Sequence, residues 1–341
     1  MKSPNSRSRA TGRVTLADVA ALAKVSPITV SRALRGERAV ASDLTDRVKA
    51  AALKLGYVPD PAARALASRH SDHVAVLIPM LSNNLFVDVL ESIQKTLRHA
   101  GYQTLIGITH YNTQEEEQLL REQLQHRPAG ILVTGLDRSD AARALIEKSG
   151  IPCVHMMELA QSPDVNSVGF SQTQAASTLT EHLLSRGRQR IAFAAAQLDP
   201  RTMQRLEGWR KTLKAAKLYD KALSYTNKSA SSMALGGEML QHIMANDPSI
   251  DAIFFCNDDL AQGALLAAQR LKIKVPQQLA IAGFNDLTGS DLVGPGLTTI
   301  RTPRAAIGEA AAKMLLALMR DEDVAASSVD VGYALMVRGS T

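Results

Sequence analysis

Two regimes of hydrophobic patterning divide the chain. Up to about residue 70 the apolar positions are few, small and helically spaced. Beyond it, apolar runs of strand length alternate with amphipathic stretches. In the first region Leu16, Val19, Ala20 and Ala23 fall on one helical face and predict a short helix ending near Ala23. Thr15-Leu16-Ala17-Asp18 opens it as a capping box, a hydroxyl capping the first turn and an acid three residues on reaching back. After a tight Lys24-Val25 connection, Ser26 and Pro27 open a second helix as N-cap and first helical residue. Val30, Ala33 and Leu34 of that helix face inward, with Thr29, Ser31 and Arg32 on its other faces. A third helix is predicted from Ser42 to Leu55, stopped by Gly56. Two short helices joined by a few residues, the second polar outside, predict a helix-turn-helix.

In the second region the strands are predicted at Val74–Ile78, Thr104–Ile108, Gly130–Val133, Pro152–Met156, Ile191–Ala195, Ala252–Phe255 and Leu279–Ala282. Helical segments intervene, among them Phe86–His99, Gln114–Gln125, Thr173–Arg186 and Asp258–Leu271. Continuous apolar strands separated by helices are the pattern of parallel sheets covered on both faces. About 270 residues of it is too much for one sheet, so two are expected. Ligands bind such sheets at the carboxyl ends of the strands, which puts a ligand between them.

Charge sharpens this division. Residues 1–70 carry 13 Lys and Arg against 5 Asp and Glu, and the remaining 271 residues carry 26 against 28. A basic head on a near-neutral body is the footprint of a nucleic-acid-binding module, with a solvated basic tail as the alternative. The length, 341 residues, suits two or three domains. No run of 18 apolar residues exists, so no membrane-spanning helix is expected. Residues 1–13 read as a disordered basic tail without the apolar stretch of a secretory signal, which implies the cytoplasm. Cys153 and Cys256 sit in apolar runs and read as buried thiols, not a disulfide or a zinc site. The nucleotide-binding glycine fingerprints, the G-x-S-x-G elbow and H-E-x-x-H are all missing from the sequence, so no enzyme, cofactor or metal is expected.

One segment reads as a site. Asp199-Pro200-Arg201 has the form of a helix start, and Arg201 and Arg205 are then neighbours on one face beside a helix N-terminus. Two guanidiniums there suit bidentate binding of a carboxylate, unless they pair with Glu207 or face solvent. Asp258-Asp259 reads as ordinary acids at a helix N-terminus.

Val14-Thr15-Leu16-Ala17-Asp18-Val19-Ala20, then Val25-Ser26, Thr29-Val30-Ser31-Arg32-Ala33-Leu34 and Leu55-Gly56-Tyr57-Val58-Pro59 resemble the lactose/galactose repressor family, and the likeness runs from about residue 14 to 340. The resemblance implies an all-α helix-turn-helix head (14–58) after the tail, a hinge helix or linker (59–71), and an α/β effector-binding and dimerisation body (72–341). The body would comprise two doubly wound parallel-sheet subdomains of periplasmic-binding-protein type. They would span about 72–160 with 294–325, and 161–293 with 326–341, so that the chain crosses three times, near 160, 293 and 325.

By the same resemblance Pro27 and Ile28 set the operator sequence with Ser31 and Arg32 beside them, and Thr15, Leu16, Ser26, Thr29 and Tyr57 complete the contact with DNA. In the hinge, Asp60 to Ala67, the implied contacts are Ala63, Arg64 and Leu66, with Leu66 wedged into a minor-groove base step. Asp60, Lys24 and Arg35 stand where the family usually has Asn, Gly and Asn. Arg205-Leu206-Glu207-Gly208-Trp209, Cys256-Asn257-Asp258 and Gly283-Phe284-Asn285-Asp286 match the family's effector elements. The implied effector set is Ser82, Asn83, Thr134, Phe170, Arg201, Arg205, Asn257, Phe284 and Asn285. Leu81-Ser82-Asn83, Gly101-Tyr102-Gln103-Thr104, Val168-Gly169-Phe170, Leu198-Asp199 and Asn257-Asp258-Asp259-Leu260-Ala261 further resemble gluconate-operon repressors. The expectation is a dimeric repressor on a pseudo-palindromic operator, released by gluconate, 2-ketogluconate or 6-phosphogluconate. The alternatives are a regulator answering a neutral sugar or, against the basic head, a sugar-binding protein without DNA.

Overall fold

The computed structural model describes residues 14–34, 40–58, 71–82 and 84–341. The chain divides into two compact units, 1–70 and 71–341. The predicted tail, the hinge residues Ala63, Arg64 and Leu66, and Asn83 lie outside the described residues.

The head contains α1 (Leu16–Ala23), α2 (Pro27–Leu34) and α3 (Ser42–Leu55). The capping box forms as read: Asp18 N–H donates to Thr15 Oγ1 (3.3 Å) and Thr15 N–H to Asp18 Oδ2 (2.8 Å). Thr29 N–H donates to Ser26 Oγ (3.2 Å) at the start of α2. Lys24 caps α1 at φ +53°, a left-handed conformation that explains why glycine is usual there. Gly56 ends α3 in the same conformation. The core of the head is Val19, Ala20, Ala23, Val30, Ala33, Val48, Ala51 and Ala52. With no buried side chain larger than valine among the described residues, the three helices pack closely and the core is thin.

The body has two six-stranded sheets. The first is ordered β11-β5-β4-β3-β1-β2, where β1 is His73–Ile78, β2 Gln103–Ile108, β3 Gly130–Thr134, β4 Cys153–Met156, β5 Ser167–Gly169 and β11 Ser328–Asp330. The second is ordered β12-β10-β9-β8-β6-β7, from β6 Ile191–Ala195, β7 Ser224–Thr226, β8 Ala252–Phe255, β9 Ala280–Asn285, β10 Thr298–Arg301 and β12 Ala334–Met336. All pairings are parallel except β10 with β12. The first sheet is covered by α4 (Asn84–His99), α5 (Thr113–Gln125), α6 (Asp140–Ser149) and α11 (Arg304–Leu318); the second by α7 (Gln172–Ser185), α8 (Pro200–Ala215), α9 (Met233–Asn246) and α10 (Asp258–Arg270).

Burial on both faces follows from the alternation along the strands. Val74, Val76 and Ile78 of β1 enter one core cluster, while Ala75 and Leu77 enter another with Ile131 and Val133 of β3. The chain crosses between the sheets after β5, after β10 and after β11, each time further along than the expected 160, 293 and 325. The physical reason is the brevity of the strands at the crossings. Ser-Val-Gly, Thr-Thr-Ile-Arg and Ser-Val-Asp have no apolar run to mark them, yet each completes a sheet before the chain leaves it.

Candidate effector site and DNA-contacting face

The strands of each sheet point their carboxyl ends at the gap between the subdomains. The residues of the site therefore lie one to four positions beyond a strand: Tyr111 after β2, Asp137 after β3, Glu158 after β4, Phe170 and Gln172 after β5, and Asp199 after β6. Facing them, α8 is capped by Asp199, whose Oδ1 accepts from Arg201 N–H (3.0 Å), with Pro200 in the first turn. The helix start read from sequence is correct, and it places Arg201 and Arg205 on one face, each only 5% exposed.

The two arginines differ in partners. Arg201 is surrounded by carboxylates: Asp199 at 3.2 Å, Glu158 at 3.3 Å and Asp137 at 3.8 Å. Burial opposes its charge, but Asp199, Glu158, Tyr111 and Asp137 together hold the guanidinium above its ordinary value. Tyr111, whose ring lies 5.9 Å from Arg201, is pushed up to about 12, chiefly by burial. Arg205 has no carboxylate within 4 Å among the described residues. It donates from Nε to Gln172 Oε1 (2.9 Å) and from Nη1 to the Cys256 carbonyl (2.6 Å), and its guanidinium lies 3.8 Å from the Phe284 ring centroid. Burial foremost moves its value down. Glu207, the alternative partner in the sequence, pairs instead with Arg210 and Lys211.

Glu158 joins the two subdomains. Its Oε2 accepts from Arg201 Nη1 and from Leu136 N–H (both 3.3 Å), and its Oε1 from Gln204 Nε2 (2.6 Å). Gly135, at φ +76°, lies directly beneath: a Cβ there would collide with Arg201 Nη1 and Asp137 Oδ1, so this approach needs glycine.

The aromatic residues form the floor. Phe170 and Phe284, both buried, stack with centroids 6.3 Å apart, and Phe170 also meets Tyr333 at 5.9 Å, where the third crossing passes. The remaining expected residues are mostly committed to the scaffold. Thr134 Oγ1 donates to the Leu77 carbonyl (3.1 Å). Asn257 caps α10 through Leu260 N–H (3.1 Å) and also bonds Ser231. Asn285 Oδ1 accepts from Thr302 Oγ1 (3.1 Å). Ser82 is exposed at the end of the β1 loop, its hydroxyl directed at Met80 Sδ (3.7 Å). Asp258 is structural: it accepts from Leu287 N–H, Ser290 Oγ and Thr299 Oγ1, and burial raises it to about 6. Sequence reasoning missed Tyr111, Asp137, Glu158, Gln172 and Gln204; position just past a strand end was the available signal for the first four.

In the head, Ser26, Pro27, Ile28 and Arg32 are exposed along α2, Ile28 to 66%, with Thr29 and Ser31 half-buried. Thr15, Leu16 and Tyr57 are half-buried, and the last two pack against the small core. Among the described residues no group of His, Cys, Asp and Glu is arranged to hold a metal, and no helix is long and apolar enough to cross a membrane. Both cysteines are free.

Residues 15–60 match the family model described as bacterial regulatory proteins, lacI family, and residues 180–341 match the periplasmic binding protein-like domain. The chain is 54% identical over 333 residues to the HTH-type transcriptional regulator GntR of Pseudomonas aeruginosa, covering 98% of this chain and 97% of that one. It is 34% identical over 329 residues to the regulator of the same name in Escherichia coli, covering 96% and 98%. The crystal structure of the transcription regulator GntR from Chromobacterium violaceum superposes with a TM-score of 0.77 at 48% identity, over 79% of this chain and 98% of that one. These relatives are transcriptional regulators, not enzymes, and the first two match along nearly the whole length of the sequence. The chain belongs to the lacI family of bacterial regulatory proteins.

Proposed function

We propose that the protein is a repressor of sugar-acid metabolism that binds a pseudo-palindromic operator as a homodimer and is released by gluconate or a related sugar acid. The observation that carries the effector assignment is Arg205. A buried guanidinium without a carboxylate partner is costly, and an anionic ligand in the cleft supplies the missing charge with a bidentate geometry. The acids across the gap, Asp137 and Glu158, suit the hydroxyls of a polyol chain. Operator reading is assigned to Pro27, Ile28, Ser31 and Arg32 on α2, with Thr15, Leu16, Ser26, Thr29 and Tyr57 holding the backbone and Ala63, Arg64 and Leu66 the minor groove. A two-fold dimer presents two such heads to two half-sites. The effector acts by linkage, binding the released arrangement of the subdomains more tightly than the operator-bound one.

The test is a thermal-shift panel of gluconate, 2-ketogluconate, 6-phosphogluconate, glucose, ribose and a purine base. A ligand at about 100 times its Kd adds about 2.7 kcal/mol of stability. The expected result is a shift with a sugar acid and none with the neutral sugars. A shift with glucose, ribose or purine alone overturns the sugar-acid assignment while leaving the regulator intact.

A further inference from the structure

Glu158 spans the cleft. It leaves the first subdomain just past β4 and ends, 3% exposed, against Arg201 and Gln204 of α8 in the second. Among the described residues, its own subdomain bonds it through Leu136 N–H. One helical turn beyond Arg201 stands Arg205, which has no such acid. The anionic ligand proposed above thus enters beside an arginine already engaged by a protein carboxylate.

Resting on the sugar-acid reading, we infer that Glu158 is a specificity-determining residue: the effector's carboxylate displaces it from Arg201 and takes its place between Arg201 and Arg205. At Arg201 one carboxylate replaces another, Arg205 gains its first, and Glu158 keeps the bonds from Leu136 N–H and Gln204 Nε2. A neutral sugar cannot make this exchange. It would either leave the Glu158–Arg201 pair closed across its path or separate two buried charges without compensation, which is strongly unfavourable. The cleft therefore selects anions by penalising neutral competitors as well as by attracting carboxylates. Because Glu158 bonds the opposite subdomain, the same exchange replaces a bond within the protein by a bond to ligand, and so reports occupancy across the gap. Asp199 and Asp137 stay with Arg201 throughout, Asp199 as the cap of α8 and Asp137 as the longer contact.

The test uses the full-length protein, with gluconate titrated by calorimetry and operator affinity measured without effector. In Glu158→Gln the competitor has lost its charge while its size is kept. Gluconate is expected to bind about tenfold more tightly, and operator affinity without effector to fall a few-fold, because the bond that holds the ligand-free arrangement is weakened. Gln204→Ala, which removes only the Oε1 donor, is expected to move both quantities the same way by about two- to threefold; it serves if the first variant does not fold. Unchanged or weaker gluconate binding in a folded Glu158→Gln protein overturns the inference, since a direct contact or a merely structural residue gives that sign. Failure of the wild-type protein to bind any of gluconate, 2-ketogluconate and 6-phosphogluconate instead overturns the sugar-acid reading. In that event effector-free operator affinity decides the cross-cleft bond, and unchanged values in both variants overturn it.

Discussion

The walls of the cleft carry opposite charge. The first subdomain presents Asp137 and Glu158; the second presents Arg201 and Arg205, with Asp199 at the base of the same helix. In most clefts a ligand brings the walls together. Here complementary charge does so at one point, Arg201, and leaves the other, Arg205, without a carboxylate partner among the described residues. Two arginines four residues apart on one helix face thus differ in surroundings: Arg201 bonds carboxylates of both subdomains, and Arg205 bonds only neutral groups among the described residues. Spacing alone makes them equivalent; the strand ends opposite make them different.

The largest effect is expected where the wall is uncompensated. Arg205→Ala should lower effector affinity by about 100-fold or more, the usual cost of truncating one partner of a desolvated charge pair. Operator binding should be nearly unchanged, because its hydrogen-bond and ring partners among the described residues, Gln172, Cys256 and Phe284, all lie in the body. Calorimetry and operator retardation on the same preparation check both halves. A variant that still binds and responds normally removes Arg205 from the site.

Arg201→Ala is expected to do less, about a tenfold loss of effector affinity, because Asp199 and Glu158 already offset most of its charge. It should also lower the thermal midpoint, since Glu158 would be left buried opposite Asp137 with no cation between them. Equal losses in the two arginine variants would show that the neighbouring acids do not distinguish them.

This contrast marks how far the sequence is legible. Local rules set the ends of α1 and α3, the capping box and the start of α8, and each stands where the residues put it, because each depends on neighbours within a turn. The long buried strands are equally plain: β6 and β8 carry the predicted limits, since burial on both faces demands an unbroken apolar run. The short strands at the crossings are not legible, because three or four residues cannot carry a period. Nor are the acids facing α8. Asp137 and Glu158 are single polar residues past strand ends, and their meeting with Arg201 depends on how two sheets face one another. The acid that sequence spacing offered as an alternative partner, Glu207, is engaged by Arg210 and Lys211.

The smallest effect concerns what holds the acidic wall in place. The loop bearing Asp137 is pinned from behind by Arg138, which donates to the Thr134 carbonyl (3.1 Å), the Gly135 carbonyl (3.0 Å) and His155 Nδ1 (2.7 Å), and lies 2.7 Å from Glu116. Burial, and then the Arg138 charge, hold His155 down at about 4. Its folded value is below its unfolded value near 6.5, so the stability it contributes is complete above about pH 6.5 and is lost as pH falls toward 4, where the unfolded chain takes the proton more readily. Urea unfolding at pH 7.5 and pH 5 should show this as an acid-side loss on the order of 2 kcal/mol that His155→Gln, which cannot be protonated, does not share. Other acids, Asp258 and Glu116 among them, are raised by burial and act in the opposite sense, but they are common to both proteins and cancel in the difference. If the two proteins lose stability in parallel, His155 is not held neutral, and the pin behind the acidic wall is not sensitive to acid through this residue.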